Sequence, residues 1–594
     1  MAILTNDIEC HINYFLSLFR NPITGEVFEF AIYNDRADFD RADLRKILQD
    51  NTIITFNGLN YDMAINTLCL CGASNLEMKK ASDDIIRSGL MPWTFERKYN
   101  VKIITVDHID LIQVAFGTAS LKVYGARLGS KLLQELPIHH DNFIMPDQVD
   151  IIDQYCINDN IVTADLYNEL KKDITLRENM STEYGIDLRS KSNAQIAEQV
   201  IKSEYIKLTG VKLPKAKAEK SYEYQYQSYV FFETVSLNNL LSTCLSVDFN
   251  ISKNGKPVLP KELNKLIKVG KKSYKMGIGG LHSVDSPGSY YSDENYKIYD
   301  IDVASYYPFI ILNSGFEPKH IGAMFTKIYR DIVERRLTAK KAGNKTTADS
   351  LKIVINGLFG KFGNRYSAVY SPELLFNTTI TGQLCLFMLI EQFAKHDIDV
   401  ISANTDGITI RVHNEKELLL KELVTWWENV TNFEMEYTEY KSIHHRDVNN
   451  YIAVYQLGGF KGKGIFASDG IRKNPANAII RDACINYILS GTPPEETIRK
   501  SKDVTQFLTV KKVTGGAHKD GVPLGATVRW YRSLATETAI NYIKNDNQVG
   551  GSEDGMPLMN LPDTKELPFD IDIKWYIDKA VEQLKELKVI DYEN

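Results

Sequence analysis

Alternation of apolar and polar residues picks out short strands in the first third of the chain. They are Ala2–Ile8, Glu29–Tyr33, Ile53–Phe56 and Val101–Val106, interleaved with segments of helical period. This predicts an α/β domain over residues 1–175. Residues 176–270 are rich in Lys and Tyr without a sustained period and read as a connecting or accessory region. The pattern then sharpens: Tyr296–Val303 and Val400–Val412 alternate as strands, the second bending around Asn404-Thr-Asp-Gly407. Between them helical period runs over Ala323–Ala342 and Thr346–Phe362, broken by the turn sequence Ala-Gly-Asn-Lys-Thr. Beyond about residue 470 the predicted helices are shorter and loops more frequent, with Gln548–Gly555 read as an exposed loop.

At 594 residues the chain exceeds what one core supports and should divide into several domains. No apolar run approaches the ~18–20 residues that cross a bilayer, and the N-terminus has no signal-peptide pattern. A cytoplasmic protein without membrane contact is expected, in a host cytoplasm if the source is a phage. The seven cysteines form no Cys-x-x-Cys pair, which points to free thiols rather than structural zinc. A net charge of −6 argues against a nucleic-acid partner until its distribution is read. Residues 327–361 carry nine Lys/Arg against three Asp/Glu, and residues 457–533 carry thirteen against six. Residues 534–594 reverse this, with six against thirteen. Two basic segments on an acidic body suit a polyanion; a solvated charged face explains them as well.

Four features of the second half call for one explanation. Asp300-Ile-Asp-Val-Ala-Ser-Tyr-Tyr-Pro308 ends a strand in Asp302, and the hairpin at 401–410 presents Asp406 at its tip. Lys352, Asn356 and Gly360 fall at i, i+4, i+8 on one helix, and Arg336 and Lys340 at i, i+4 on another. Two carboxylates at strand ends suit Mg²⁺, which takes hard oxygen ligands and shares them with substrate phosphates. Two such ions stabilise the attacking and leaving oxygens of an in-line phosphoryl transfer, and cations on the triphosphate complete the chemistry. Singly, Asp302 fits a turn and Lys352 a surface lysine.

Together and in order, these segments resemble the motifs of family B DNA polymerases. Asp302-Val-Ala-Ser-Tyr-Tyr-Pro resembles D-x-x-S-L-Y-P, Lys352-Ile-Val-Ile-Asn-Gly-Leu-Phe-Gly resembles K-x-x-x-N-S-x-Y-G, and Thr405-Asp406 resembles the end of the D-T-D hairpin. Gly277-Ile-Gly-Gly280 is similar to Y-x-G-G, and Thr379-Ile-Thr-Gly-Gln383 to T-x-x-G-R. The resemblance implies a right-hand polymerase: palm over 271–325 and 366–470, fingers over 326–365, thumb and C-terminal tail over 471–594. It implies metal ligands at Asp302, Asp406 and the Val303 carbonyl, with Tyr307 under the sugar to exclude a 2′-hydroxyl. Arg336, Lys340 and Lys352 would take the triphosphate, with Asn356 and Phe359 near the nascent base pair. Gly279, Gly280 and Thr379 would lie along DNA. Gly357 for Ser and Phe359 for Tyr each remove a hydroxyl, and Asn404 stands where the first acid of D-T-D would be. Asn keeps the shape and one acceptor while removing a charge, so Asp406 carries the burden.

The N-terminus holds a second set of acids. Asp7 and Glu9 share one face of the first strand, followed by Phe56-Asn-Gly-Leu-Asn-Tyr-Asp62 and Tyr155-Cys-Ile-Asn-Asp159. These resemble the D-x-E, N-x-x-x-(F/Y)-D and Y-x-x-x-D motifs of the 3′–5′ exonuclease that accompanies family B polymerases. The resemblance implies a ribonuclease-H-like domain in which Asp7, Glu9, Asp62 and Asp159 hold two Mg²⁺, as in the polymerase site, with Mn²⁺ as a substitute. Tyr155 would orient the attacking water. Asn57, Ser120 and Leu121 would contact a single-stranded 3′ end, with Phe56 or Tyr124 as stacking surfaces.

Near the primer terminus the family carries K-x-Y; Tyr451 matches, while Asn449 replaces the lysine. Lys461, Lys463 and, further on, Arg529 are candidate phosphate contacts. Asp302 to Lys352 and Asn356 to Asp406 are 50 residues each, leaving no room for the insertions that hold a terminal-protein primer in protein-primed relatives. A monomer extending a nucleic-acid primer with dNTPs is expected, aided by helicase or processivity partners and most similar to compact bacteriophage members. Two other readings share these motifs: an exonuclease with an inactive polymerase half, and a non-catalytic replication scaffold.

Overall fold

The computed structural model describes residues 2–590 other than 118, 218 and 469. They form two compact units: Met1–Ser192 with Asp469–Asp482 and Glu495–Asp578, and Asn193–Ser468 with Ala483–Pro494 and Lys579–Asn594. Most of the expected thumb therefore groups with the N-terminal segment.

In the first unit the strands Ile3–Cys10, Tyr14–Arg20 and Val27–Tyr33 form an antiparallel meander, and Thr52–Thr55 and His108–Asp110 extend it in parallel. Period-two placement divides the side chains between two cores. Leu4, Ile8, Phe15 and Phe19 pack with Leu44, Ile65 and Met78 of the helices Arg41–Asp50, Asp62–Leu70 and Asn75–Ser88. Tyr14, Leu16 and Leu18 face a core shared with Ile152 and Cys156 of the helix Val149–Glu169. Asp7 and Glu9 have the parity of that second face, so the acids of the first strand look toward this helix.

The Val101–Val106 run is not a strand. Its backbone donors go to side chains, Ile103 N–H to Glu96 at 3.0 Å and Ile104 N–H to Thr67 at 3.0 Å, while its apolar residues pack on the first core. The C-terminal part of the unit is richer in sheet than its sequence suggested. Two eleven-residue strands, Thr509–Lys519 and Val522–Arg532, pair around a core of Val513, Val528, Trp530 and Val549. The expected exposed loop at 548–555 is anchored there: Val549 and Ser552 are buried, and Ser552 Oγ bonds both backbone groups of Ile540.

The second unit is built on a ten-stranded sheet whose centre is Met435–Asp447, Tyr296–Val303, Gly407–His413 and Asp399–Asn404. The sheet begins at Leu266–Val269, inside the expected connecting region. The helix Pro372–Lys395 is long and apolar enough to cross a membrane, yet 89% of its apolar window is buried by the protein, making it the core helix of this unit. Ser371 caps its start and Pro372 takes the first helical position. The helices Ala323–Lys341 and Lys345–Phe362 pair with each other and with Asn193–Thr209. At the turn between them, Gly343 adopts a left-handed φ of 71° and Asn344 caps the second helix.

Arg529 is a correction. Expected to reach phosphate, it is 0% exposed, and its guanidinium donates to the carbonyls of Ser130, Lys131, Leu558 and Met559 within the first unit. Burial lowers its pKa to about 10. Arg529→Met should cost about 2–4 kcal/mol, because buried carbonyls lose their donor. A lower Tm with an unchanged salt dependence of duplex binding is the expected result; a phosphate contact would give the reverse.

Candidate active sites

Asp302 sits one residue from the end of its strand, paired with Gly407 on one side and Glu436 on the other. A Cβ at position 407 would lie 1.8 Å from Asp302 Oδ1, so the Asp-Gly order at the hairpin tip gives Asp302 its room. Thr405 takes a left-handed φ of 62° and donates its N–H to the Leu281 carbonyl at 2.8 Å. Val303 N–H donates to the Asp406 carbonyl at 2.9 Å, tying the hairpin to the strand that carries Asp302. No other side chain among the described residues donates a hydrogen bond to the Asp302 or Asp406 carboxylate. Burial raises the pKa of both, and for Asp302 the neighbouring charge of Asp300 adds to it.

Asn404, beside these carboxylates, makes two hydrogen bonds within its own hairpin and to the segment next to it. Its amide donates to the Val448 carbonyl at 3.3 Å and accepts from Thr405 Oγ1 at 3.0 Å. Both bonds help shape the hairpin.

A cleft of about 390 Å³ opens beside Asp406, lined by Val303, Tyr307, Arg336, Lys352, Asn356 and Phe359 among others. Tyr307 is held by its hydroxyl on the Gly279 carbonyl at 2.8 Å and by stacking on Phe359 at 4.6 Å. Arg336 donates to Ser305 Oγ at 2.9 Å and keeps a buried Nε with no partner. Lys340 is not among the cleft residues; it pairs with Glu436 at 2.8 Å. Gly357 has a packing reason: a Cβ there would lie 2.3 Å from the Asn193 carbonyl oxygen, so the family's serine does not fit against the neighbouring helix.

The remaining motifs support this cleft from behind. Gln383 exchanges two hydrogen bonds with the Gly277 backbone, at 2.9 and 2.8 Å. Gly280 sits where a Cβ would press on Thr405 at 3.1 Å. Thr379, expected along DNA, is 0% exposed and donates its hydroxyl to Phe376 of its own helix, so it is a core residue.

One acid here escaped the sequence reading. Asp300 lies two residues before Asp302 on the same strand face and is almost fully buried. It accepts from Thr409 at 2.8 Å, Tyr440 at 2.7 Å and Lys461 at 3.3 Å. Burial opposes the Lys461 charge, but Asp300, Tyr451 and Asp302 outweigh it and raise the lysine's pKa. Burial and the adjacent Lys461 lower that of Lys463. Strand register brings Lys463 opposite Tyr451 and Lys461 opposite Ala453. Both lysines, Tyr451, Asn404 and the three acids line one small polar cavity of about 70 Å³.

In the first unit Asp7, Glu9, Asp62, Asp159 and Tyr155 come together where the first strand meets the helix Val149–Glu169 and the start of Asp62–Leu70. Burial is the main cause raising all four carboxylates; the charge of Asp7 adds for Glu9 and Asp62, and that of Asp159 for Asp7. Asp62 leaves Oδ1 buried with no partner. Lys122 donates to the Tyr155 hydroxyl at 2.6 Å and offsets the charge on Asp159. It lies in the Ser120–Tyr124 segment, where reading had stopped at the Ser-Leu pair. Asp110 was missed too: its buried carboxylate accepts the N–H groups of Asn57, at 2.8 Å, and Leu59, at 3.0 Å, fixing the loop that leads to Asp62. Asn57 accepts from Asn60 at 2.8 Å, Ser120 takes the N-cap position of the helix Leu121–Leu128 without a side-chain capping bond, and Leu121 is half-buried. Tyr124 is fully buried with its hydroxyl on Ala115, so of the two expected stacking rings only the half-buried Phe56 offers a face.

No protein-family profile matches the chain. In sequence it is similar to DNA polymerase II of Escherichia coli (strain K12), 27% identical over 179 residues, 24% of this chain and 23% of that protein. It is similar also to DNA polymerase 1 of Sulfolobus acidocaldarius, 24% identical over 202 residues, 34% of this chain and 22% of that protein. The matched segment thus spans under a quarter of the length of these curated relatives. A solved structure, the family B DNA polymerase from the hyperthermophilic archaeon Pyrobaculum calidifontis, aligns at a TM-score of 0.42 and 14% identity, over 100% of this chain and 78% of its own. In sequence the chain is thus similar to DNA polymerases, over a segment of each.

Proposed function

We propose that this chain is a template-directed DNA polymerase with a 3′–5′ proofreading exonuclease, replicating a phage genome from a nucleic-acid primer. The observation that carries the polymerase reading is the cleft in which Asp406 and Val303 meet Tyr307, Arg336, Lys352 and Asn356. The donor sets fit Mg²⁺: hard oxygens, raised in pKa by burial and mutual charge, with no side-chain donor among the described residues on Asp302 or Asp406 and an orphan oxygen on Asp62. Asp302, Asp406 and the Val303 carbonyl would hold the ions at the polymerase site, and Asp7, Glu9, Asp62 and Asp159 at the other. Bound there, the metal would activate the attacking oxygen and neutralise charge on the leaving one.

The protein's own groups do the positioning. Arg336 and Lys352 bind the triphosphate across the cleft from Asp406. Tyr307, fixed at both ends by Gly279 and Phe359, walls off the sugar's 2′ position. At the N-terminal site Lys122 holds the Tyr155 hydroxyl, which orients the water that attacks a frayed 3′ end. Asn404 and Asn449 together lack an acid and a base that the family motifs carry, and Asp300 with Lys461 supply such a pair in the cavity that Asn404 lines. Lys461 thus serves the primer terminus in place of a lysine at 449.

A labelled primer–template with Mg²⁺, with and without dNTPs, tests the whole reading. Extension and degradation are both expected; degradation alone indicates an inactive polymerase half, and neither indicates a scaffold. Asp302→Ala or Asp406→Asn should abolish extension and spare degradation, and Asp7→Ala the reverse. Loss of both activities from one change would rule out two independent sites.

The charge pair is tested separately. Asp300→Asn and Lys461→Met should each slow extension about tenfold, near 1.4 kcal/mol, with degradation intact. Adding Asn404→Asp with Asn449→Lys to the double variant should restore part of the rate. Full activity in the double variant would remove the pair from the mechanism.

The raised carboxylates also predict a pH effect. A carboxyl whose folded pKa is raised stabilises fully below its unfolded value near 4, and that contribution is lost as pH rises through the folded value, about 8 for Asp7. In metal-free buffer Asp7→Asn should therefore melt about 2–4 °C above the wild type at pH 8, with the gap closing toward pH 5. Saturating Mg²⁺ should shrink the gap at pH 8. A gap independent of pH would place the effect elsewhere.

A further inference from the structure

The mechanism leaves one group in the N-terminal site without a task. Cys156 follows Tyr155 on the helix Val149–Glu169 and shares a face with Asp159, three residues on. Its side chain is fully buried, and Sγ lies 3.7 Å from Asp7 Oδ2 and 3.6 Å from the Asp7 carbonyl oxygen. One ligand atom each from Asp7, Glu9 and Cys156 falls within 4.8 Å of the others. Beside them Asp62, only 3% exposed, keeps Oδ1 without a partner and presses its charge on Glu9.

Magnesium has no use for this thiol, since it takes oxygen ligands almost exclusively. A thiophilic ion does. Tetrahedral zinc with Zn–S near 2.3 Å and Zn–O near 2.0–2.1 Å sets sulfur and oxygen ligands roughly 3.6 Å apart. The observed 3.7 Å between Sγ and Asp7 Oδ2 matches that edge.

We propose that Asp7, Glu9 and Cys156 form a site for a thiophilic divalent cation, Zn²⁺ or Cd²⁺, whose binding turns the N-terminal site off. As the metal–sulfur bond forms, the Cys156 proton passes to solvent, and no electron changes hands. The ion occupies carboxylate oxygens otherwise available to Mg²⁺ and fixes them in tetrahedral geometry, which hydrolysis by two hard cations cannot use. Binding itself is independent of the exonuclease reading; the inhibitory consequence rests on it.

The test uses the full chain with the exposed Cys71 replaced by Ser, so that this thiol does not compete. Titration with Cd²⁺ in metal-free buffer should give one equivalent of the ultraviolet thiolate-to-cadmium band, lost in Cys156→Ser and in Cys156→Ala. In Mg²⁺, Zn²⁺ should halve degradation of a 3′-labelled single strand at a concentration at least tenfold lower in the parent than in Cys156→Ser, each scaled to its own zinc-free rate. The same cadmium band in the variants, or equal zinc sensitivity, overturns the proposal. Absence of degradation by the parent in Mg²⁺ alone would refute the exonuclease reading instead, and the cadmium band would still decide the site.

Discussion

A side chain at position 407 would put its Cβ within 1.8 Å of Asp302 Oδ1, and much of the second unit follows from that contact. Because residue 407 is glycine, the strand Tyr296–Val303 can bring a carboxylate to the sheet end directly beside the hairpin tip that carries Asp406. The hairpin is then fixed from three directions. Val303 holds the Asp406 carbonyl, Leu281 holds the Thr405 amide, and Val448 holds the Asn404 side chain. Gly280 approaches Thr405 so closely that a larger residue would have to push the tip away. The motif glycines at 277–280 are therefore part of the hairpin's seat, whatever else they touch.

The cost of this arrangement is electrostatic. Asp302 and Asp406 stand near each other at the sheet end with Asp300 beside them, and desolvation there disfavours the charge on both Asp302 and Asp406. The first unit repeats the pattern with Asp7, Glu9, Asp62 and Asp159. Elsewhere the chain treats buried acids differently: Asp285 has Lys272 at 2.8 Å and Ser402 at 2.7 Å, and its pKa is lowered to about 2. The contrast separates structural carboxylates, satisfied by the fold, from those left for something the fold does not contain. A chain that needed only shape would gain stability by neutralising the second kind.

Much of this was legible in the sequence, and the exceptions have physical causes. The strand Tyr296–Val303 and both helices around Gly343 stand within a residue or so of their predicted limits, because period and turn chemistry agree there. The run Val101–Val106 misled because β-branched residues record a preference for extended backbone, not the presence of a partner strand. The strands Thr509–Lys519 and Val522–Arg532 were hidden by Gly515, Gly516 and Gly525, at positive φ where the register shifts. Arg529 shows the limit for single residues: a basic segment states that cations are present, not which way each one points. Asp300 and Lys461 are the opposite case, since 161 positions separate them and only the curl of the sheet brings them together.

That pair bears on how motif departures should be weighed. Asn404 and Asn449 each look like a loss when matched letter by letter, one a missing acid and the other a missing base. They lie near each other in the fold, since Asn404 donates to the carbonyl of Val448, the residue before Asn449. What the cavity holds instead is Asp300 against Lys461, of the same two charges, reached from different strands. An acid and a base thus stand in the cavity although Asn404 and Asn449 supply neither. Electrostatics at a metal site depends on where charge stands relative to the reacting atoms, not on which residue number carries it. Set beside the Asp300–Lys461 pair in the cavity that Asn404 lines, the two departures are therefore weaker evidence for an inactive site than the motif letters alone suggest.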